Sequence, residues 1–196
     1  MIASSDCLWG ALDGMNGAGL VAALSFGGRK VKGRGFGIPL ILRYILEFCS
    51  TTPEAVKVLM RVPSHMAYNV TLLDRESRYA VIEVAPDRPT RVLRRRVSAN
   101  HQNAPLWQAY QRFSRSEERE DHLRALLRQR SLTPEALVAN FLVPPLFTRE
   151  YERGSGTLYT VVYLPAEDRV EYHWPGGVHG QSLRHLDEKQ IEVRYT

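Results

Sequence analysis

The chain has 196 residues, of which 44% are hydrophobic, and a formal net charge of +5 at pH 7. This length and apolar content predict a single domain over residues 1–196 with a sizeable core, and they exclude a disordered or fibrous protein. No apolar run reaches the roughly 18 residues of a membrane span and no signal peptide is recognised, so we expect a soluble cytoplasmic protein without a membrane partner.

The basic residues are spread along the chain and are not gathered on one predicted face. They lie in a glycine-rich loop at 29–34, on an apparent strand at 91–96, and along a helix at 112–130 where acidic residues accompany them. A nucleic-acid footprint would cluster on one surface and would accompany a recognised motif. We therefore interpret these residues as solvated surface and predict no nucleic-acid partner.

The first predicted elements form a hairpin. A short polar lead, residues 1–6, precedes an apolar run that ends at Asp13, and a second apolar run covers residues 20–26. Between the two runs lie Asn16 and several glycines, which supply the positive φ angles that a sharp reversal needs. The pattern predicts two buried strands joined by a tight turn and followed by a flexible basic loop at 27–37.

Two helices are predicted after this loop. Pro39 stands in the first turn of a helix whose apolar stripe extends to Phe48. The run Thr52-Pro53-Glu54 then starts a second helix, because it combines a capping hydroxyl, a proline that needs no donor, and an acid near the positive end of the helix dipole. The residues predicted to face the core from this second helix are Val56, Leu59 and Met60.

Three strands are predicted after the helices. Residues 68–73 and 79–84 flank the polar segment 74–78 and read as a hairpin, and a third strand at about 90–97 leads to Asn100. Helices followed by consecutive strands indicate the α+β class, with helices packed on a largely antiparallel sheet.

The second half of the chain is predicted to be helical before it returns to strands. Its predicted elements are an amphipathic, helical or lid-like stretch at 105–113, a charged helix from Ser116, a short helix from Thr133, a hairpin of strands 157–164 and 169–174, and one possible strand, 191–195, in the tail 177–196. Only one edge of the charged helix is apolar, so we expect its other face to be wet.

An ordered series of short motifs runs through residues 7–176. The motifs are Asp-Gly-Met-Asn-x-x-Gly-Leu at 13–20, Gly-x-Gly-Ile-Pro at 35–39, Arg-x-x-Leu-Glu-x-Cys at 43–49, Thr-x-x-Glu-Ala at 51–55, Ser-Ala-Asn-His at 98–101 and Gly-Thr-Leu-Tyr at 156–159. Their order resembles the isopenicillin N acyltransferase family of N-terminal-nucleophile amide hydrolases, whose cousins are the choloylglycine and linear-amide hydrolases.

The resemblance implies a four-layer αββα sandwich and a cysteine nucleophile. In that family autoproteolysis exposes the cysteine as the first residue, so that its own α-amino group serves as the base. The family's cysteine precedes the Asp-Gly-Met-Asn hairpin by several strands, and we therefore expect this chain to be N-terminally incomplete and to lack the nucleophile strands. Three alternatives stay open: the start at Met1 is late in a longer reading frame, a separate chain supplies the missing part, or catalysis has been lost.

The resemblance also implies roles for four residues. Asn100 matches the family position whose side-chain amide donates to the negative charge that develops on the reacting carbonyl oxygen. His101, Ser25 and Asn16 are expected to bind substrate. From the residues alone, Asn100 could instead end a strand in an Asx turn, and His101 could be a packed, hydrogen-bonded histidine.

Two cysteines, Cys7 and Cys49, are present. Cleavage after Asp6 would leave Cys7 at the N-terminus, which makes it an alternative nucleophile, whereas its predicted place on an internal strand favours an inert, buried thiol. Cys49 is expected to lie in the core. Neither the cysteines nor the six histidines have a metal-ligand spacing, and the sequence predicts no metal and no cofactor.

The function that follows from the resemblance is that of the C-terminal part of a cysteine N-terminal-nucleophile acyltransferase or amidohydrolase. Its expected partner is a small-molecule acyl amide or acyl thioester, and exposed sheet edges favour a homodimer or a separate nucleophile-bearing chain. As this chain alone we expect it to be inactive. The alternative is a non-catalytic acyl-ligand-binding domain that has lost the nucleophile.

Overall fold

The computed structural model describes residues 1–6, 8–103 and 107–195. Within these residues, its strands form two antiparallel sheets. The larger sheet contains, in spatial order, β1 (Ile2–Asp6), β2 (Gly10–Met15), β3 (Val21–Phe26), β4 (Tyr68–Leu73), β5 (Tyr79–Val84) and β6 (Arg91–Leu93). The smaller sheet contains β7 (Thr160–Leu164), β8 (Arg169–Trp174) and β9 (Gly177–Ser182). The predicted hairpins β2–β3, β4–β5 and β7–β8 are confirmed.

The N-terminal residues differ from the sequence prediction, because they form strand β1 and not a polar lead. Ile2 is 9% exposed, and β1 pairs antiparallel with β2. The serines of this strand contact other polar groups: Ser4 Oγ donates to a carboxylate oxygen of Asp13 at 2.9 Å. Because most of the strand's own residues are polar, it shows no alternation of apolar and polar residues. The hydrophobic pattern therefore could not predict it.

Helices α1 (Ile38–Phe48) and α2 (Thr52–Arg61) cover one face of the larger sheet, as predicted. Their apolar side chains pack on inward residues of β3, β4 and β5; fully buried members of this core are Ala22, Leu42, Ile45, Val70 and Ile82. The cap of α2 is Thr51, whose hydroxyl accepts from the Glu54 amide at 3.4 Å, and not Thr52. The predicted inward position of Met60 is wrong, since this side chain is 61% exposed.

The smaller sheet packs on the opposite face of the larger one. Met15 and Val21 contact Val170 of β8 in a second apolar cluster, while Ala22, the next residue along β3, belongs to the helix-facing core. Successive side chains of a strand point to opposite faces, so the order of layers is helices, six-stranded sheet, three-stranded sheet. A fourth, helical layer stays a prediction.

A carboxylate lies between the two sheets. Asp13 accepts hydrogen bonds from Ser4 Oγ, from the Tyr159 hydroxyl at 3.4 Å and from the Tyr163 hydroxyl. Burial, followed by the negative charge of Asp13, raises the pKa of Tyr163, and the pKa of Tyr159 is raised to about 12 by burial and, among smaller causes, by the same charge. Polar side chains therefore help to join the sheets.

The remaining helices are α3 (Gln108–Ser114), α4 (Ser116–Leu126) and α5 (Pro134–Asn140), with a 3₁₀ turn at Tyr151–Arg153. Strand β6 ends well before the predicted residue 97, and residues 191–195 form no strand. Strand β9 was not predicted, because its glycines and polar residues lack the usual strand composition. Among the described residues, no helix combines the length and the apolar character that a membrane crossing needs.

The basic loop at 27–37 is more fixed than the sequence indicates. Arg29 is only 4% exposed and its guanidinium donates to Asp87 at 3.0 Å, which holds the pKa of that carboxyl below its usual range. The prediction of a solvated side chain is wrong for this arginine, because a carboxylate distant in the sequence pairs with it.

Candidate active site

The segment around Asn100 follows the larger sheet and is held by backbone and side-chain hydrogen bonds. Asn69 of β4 is fully buried, and its Nδ2 donates to the carbonyl oxygens of Ala99 and His101, each at 2.8 Å. Gly28 has a φ of +66°, and a Cβ at this position would lie 2.7 Å from the Asn100 carbonyl oxygen. Only glycine fits this close approach, and the Asn100 backbone is therefore fixed on both sides.

The side chain of Asn100 is held by helix α4. Its Oδ1 accepts a hydrogen bond from Arg119 Nη2 at 2.9 Å, and Arg119 Nε donates to the Ser114 carbonyl at 3.1 Å. Burial lowers the pKa of Arg119, and the neighbouring Tyr110 hydroxyl opposes this effect. Burial raises the pKa of Tyr110, while the charge of Arg119 and a hydrogen bond with Asn100 lower it. Asn100, Tyr110 and Arg119 thus form one polar cluster.

This cluster borders a cavity of about 840 Å³. The charged residues that line the cavity are Arg115, Arg119, Arg149 and Glu150. The apolar lining residues are Phe113, Leu142, Val143, Pro144, Pro145, Leu146 and Phe147. Such a combination of apolar walls with a few fixed polar groups is typical of small-molecule sites.

His101 faces helix α4 and does not line this cavity. Its Nδ1 lies 2.8 Å from Ser116 Oγ, and its Nε2 lies 3.5 Å from Glu120 Oε2. Ser116 and Glu120 are both buried. The predicted substrate contact of His101 stays a prediction, and the structure shows contacts with a helix.

Ser25 and Asn16 also lie away from the cavity lining. Ser25 Oγ donates to the Ala99 carbonyl at 3.1 Å, so this hydroxyl supports the segment that carries Asn100. Asn16 is 7% exposed, and its Nδ2 donates to the carbonyls of Leu46 at 3.0 Å and Cys49 at 2.7 Å. The structure therefore brings Ser25 close to Asn100 in the fold but places Asn16 at the end of helix α1.

The described thiol lies in the core. Cys49 is 5% exposed, and burial, followed by the charge of Glu54, raises the pKa of its thiol. A raised pKa leaves less of the thiolate that attacks carbonyls. Cys7, the alternative nucleophile, lies outside the described residues. Within residues 1–6, 8–103 and 107–195, no group of three or more His, Cys, Asp or Glu side chains could hold a metal ion.

Sequence reasoning missed Tyr110 and Arg119. Arg119 belongs to a helix with many charges, and the sequence predicts a solvated side chain there, whereas the structure places it half-buried against Asn100. Its position three residues after the first residue of α4 carries no special pattern. Only the packing of α4 beside Asn100 distinguishes it from its exposed neighbours.

Comparisons with known proteins agree with this architecture. A family model described as acyl-coenzyme A:6-aminopenicillanic acid acyl-transferase matches residues 1–177. Among solved structures, a mutant conjugated bile acid hydrolase from Clostridium perfringens is similar with a TM-score of 0.54 and 13% identity, over 99% of this chain and 80% of that chain. No curated protein sequence matches the chain. At this identity, the structural likeness shows a shared fold.

Proposed function

We propose that the chain, which belongs to the acyl-coenzyme A:6-aminopenicillanic acid acyl-transferase family, provides the oxyanion donor and the acyl cavity of an N-terminal-nucleophile acyltransferase or amidohydrolase. Its proposed substrates are small-molecule acyl amides or acyl thioesters. The observation that carries this proposal is the Asn100 amide, which Arg119 holds at the border of a cavity with an apolar wall.

The hydrogen bond from Arg119 decides which end of the Asn100 amide is available. A guanidinium only donates, so Oδ1 is the atom that faces it. The Asn100 side chain also forms a hydrogen bond with Tyr110, and the second hydrogen of Nδ2 is the proposed donor to a substrate. A substrate carbonyl beside Nδ2 would receive a hydrogen bond that strengthens as negative charge develops on its oxygen. A fixed donor of this kind contributes roughly 3–4 kcal/mol to lowering the barrier.

The cavity supports the acyl part of the proposal. Leu142, Leu146 and Phe147 offer an apolar wall for the acyl group, and removing that group from water favours binding. Arg115 is paired with Glu118, so Arg119, rather than Arg115, is the lining cation that would attract a negatively charged part of the substrate.

In the proposed reaction a thiolate attacks the carbonyl carbon. The tetrahedral oxyanion collapses and expels the amine, which takes up a proton, or the thiolate of a thioester, and the acyl group then passes from the protein thiol to water or an amine. Cys49 does not line the cavity and its thiol is buried. The proposal therefore assigns the nucleophile to a thiol outside the described residues, either Cys7 or one on a separate segment. We expect the 196-residue chain alone to be inactive unless Cys7 is that nucleophile.

The test measures release of p-nitroaniline from acyl p-nitroanilides with short, medium and long acyl chains. The protein isolated from its own source is compared with the purified 196-residue chain, and intact mass and N-terminal sequencing show whether a processed cysteine starts the isolated protein. Asn100→Asp keeps the size of the side chain but removes the donor, and should lower kcat of the active form about 10²–10³-fold. Asn103→Asp is the matched control, because Asn103 is exposed and does not line the cavity.

Each other outcome changes a different part of the proposal. Undiminished turnover by Asn100→Asp would remove this residue from the mechanism. Turnover by the 196-residue chain that disappears in Cys7→Ala would identify Cys7 as the nucleophile. Binding of the acyl compounds without turnover, unchanged when both cysteines are replaced, would favour a non-catalytic acyl-binding domain.

A further inference from the structure

A cluster of charges links strand β5 to helix α4. Glu83 of β5 and Glu120 of α4 are each 2% exposed. Arg95 lies between these carboxylates, with its Nη2 3.5 Å from Glu83 Oε1 and its Nη1 3.7 Å from Glu120 Oε1. Because buried carboxylates require compensation, this arrangement ties helix α4 to the larger sheet.

Two neighbouring residues of the Asn100 segment contact two neighbouring residues of α4. Asn100 contacts Arg119, and His101 contacts Glu120. The other imidazole nitrogen of His101 contacts Ser116, the first residue of α4. His101 therefore spans the first turn of the helix, and its contacts set the position from which Arg119 reaches Asn100.

The two oxygens of the Glu120 carboxylate have different surroundings. Oε1 receives a hydrogen bond from Arg124 and faces Arg95, whereas the buried Oε2 receives no hydrogen bond from the described residues and faces His101. A neutral imidazole protonated at Nε2 can donate to Glu120 and accept from the Ser116 hydroxyl, whereas a protonated imidazole donates at both nitrogens. Protonation would thus add a positive charge beside the Glu120 oxygen that lacks a donor.

We propose that His101 and Glu120 are a positioning pair, in which protonation of the imidazole holds helix α4 where Arg119 fixes the Asn100 amide. The charged groups around the pair are Glu83 and Arg95 from the sheet side and Arg119 and Arg124 from α4 itself. The coupling stands on geometry alone, but its relevance to catalysis rests on the proposed function.

Nuclear magnetic resonance of the whole chain tests the coupling without a substrate. We expect the Arg119 Nε–H signal to move with pH in step with the His101 imidazole signals. This pH-dependent shift of the Arg119 signal should be lost in His101→Gln, which keeps a hydrogen-bonding side chain without its charge. It should also be lost in Glu120→Gln. Glu117→Gln is the matched control, because Glu117 is exposed on the same helix, and the shift should persist there.

The positioning pair would be overturned if the Arg119 signal did not change with pH together with the His101 signals. It would also be overturned if the pH-dependent shift of the Arg119 signal persisted in His101→Gln. Glu120→Gln could prevent folding, since it removes the anion between Arg95 and Arg124, and His101→Gln then decides the matter. In the catalytically active form, Glu120→Gln should lower kcat on the order of 10²-fold with an unchanged KM. Coupling without any acyl turnover would contradict the proposed function and leave the pair intact.

Discussion

Asn16 and Asn100 occupy two regions that use the same side chain differently. The Asn16 amide makes four hydrogen bonds, all to backbone groups: Nδ2 donates to Leu46 and Cys49, and Oδ1 accepts from Ala18 and Leu20. The Asn100 amide is held at Oδ1 by the side chain of Arg119 and borders a cavity. An amide that only backbone groups surround serves the fold. An amide that side chains orient beside a cavity can present its remaining N–H to a ligand.

The largest effect on stability should come from Asn16→Ala. This change leaves buried carbonyl and amide groups without partners, and we expect it to lower the free energy of unfolding by about 3 kcal/mol or more. Asn100→Ala should cost about 1.5 kcal/mol, because it removes the partly buried hydrogen bonds to Arg119 and Tyr110. Urea unfolding measures both, and Asn103→Ala, at an exposed position, is the control. Equal losses at positions 16 and 100 would remove the distinction between the two regions.

A second prediction concerns the Asp13 carboxylate between the sheets and the hydroxyls of Tyr159 and Tyr163 that donate to it. The folded protein keeps the Tyr159 proton to a pH of about 12, whereas an unfolded tyrosine loses its proton near about 10. The contribution of Tyr159 to the free energy of unfolding should therefore be fully present below a pH of about 10 and should be lost as pH rises from about 10 to about 12. In Tyr159→Phe combined with Tyr163→Phe this alkaline decline should become shallower.

Thermal unfolding measured at several alkaline pH values follows that decline. Tyr44→Phe, at a tyrosine that is 49% exposed on helix α1, should leave it unchanged. An equally steep decline without the two buried hydroxyls would show that other groups cause it.

The smallest effect should appear at Cys49, next to Asn16. Burial raises the pKa of its thiol, so labelling by a thiol reagent in the native protein should be at least about tenfold slower than in urea. The measurement uses a Cys7→Ala background, so that one thiol reacts. Asn16→Ala should accelerate labelling of the native protein, whereas Asn100→Ala should not. The opposite result would show that the Asn16 hydrogen bonds do not keep Cys49 buried.

Much of the fold could be predicted because local chemistry determines it. Thr-Pro-Glu and Thr-Pro-Glu-Ala starts marked α2 and α5, and apolar runs marked β3, β4 and β5 within a few residues. Strands β1 and β9 escaped prediction because their composition is polar or rich in glycine. Their pairing with neighbouring strands, and not their own propensity, makes them strands.

The site was harder to predict than the fold. Asn100 could be singled out through its motif, and its role as oxyanion donor stays a prediction. Arg119, Tyr110 and Glu120 could not, because each gains its role from a residue far away in the sequence. A charged helix has the same composition whether a given side chain points to water or to a buried partner.

The β3–β4 pairing has a consequence for the order in which the protein folds. Strands β3 and β4 are separated in the chain by helices α1 and α2, whereas the other paired strands of the six-stranded sheet are joined by short connections. The β3–β4 pairing therefore joins two halves of the sheet that can each form locally. Closing this long loop costs more entropy than forming the short hairpins. Asn69 of β4 holds the carbonyls on both sides of Asn100. A newly synthesised chain should therefore complete its cavity late, after the two halves have joined.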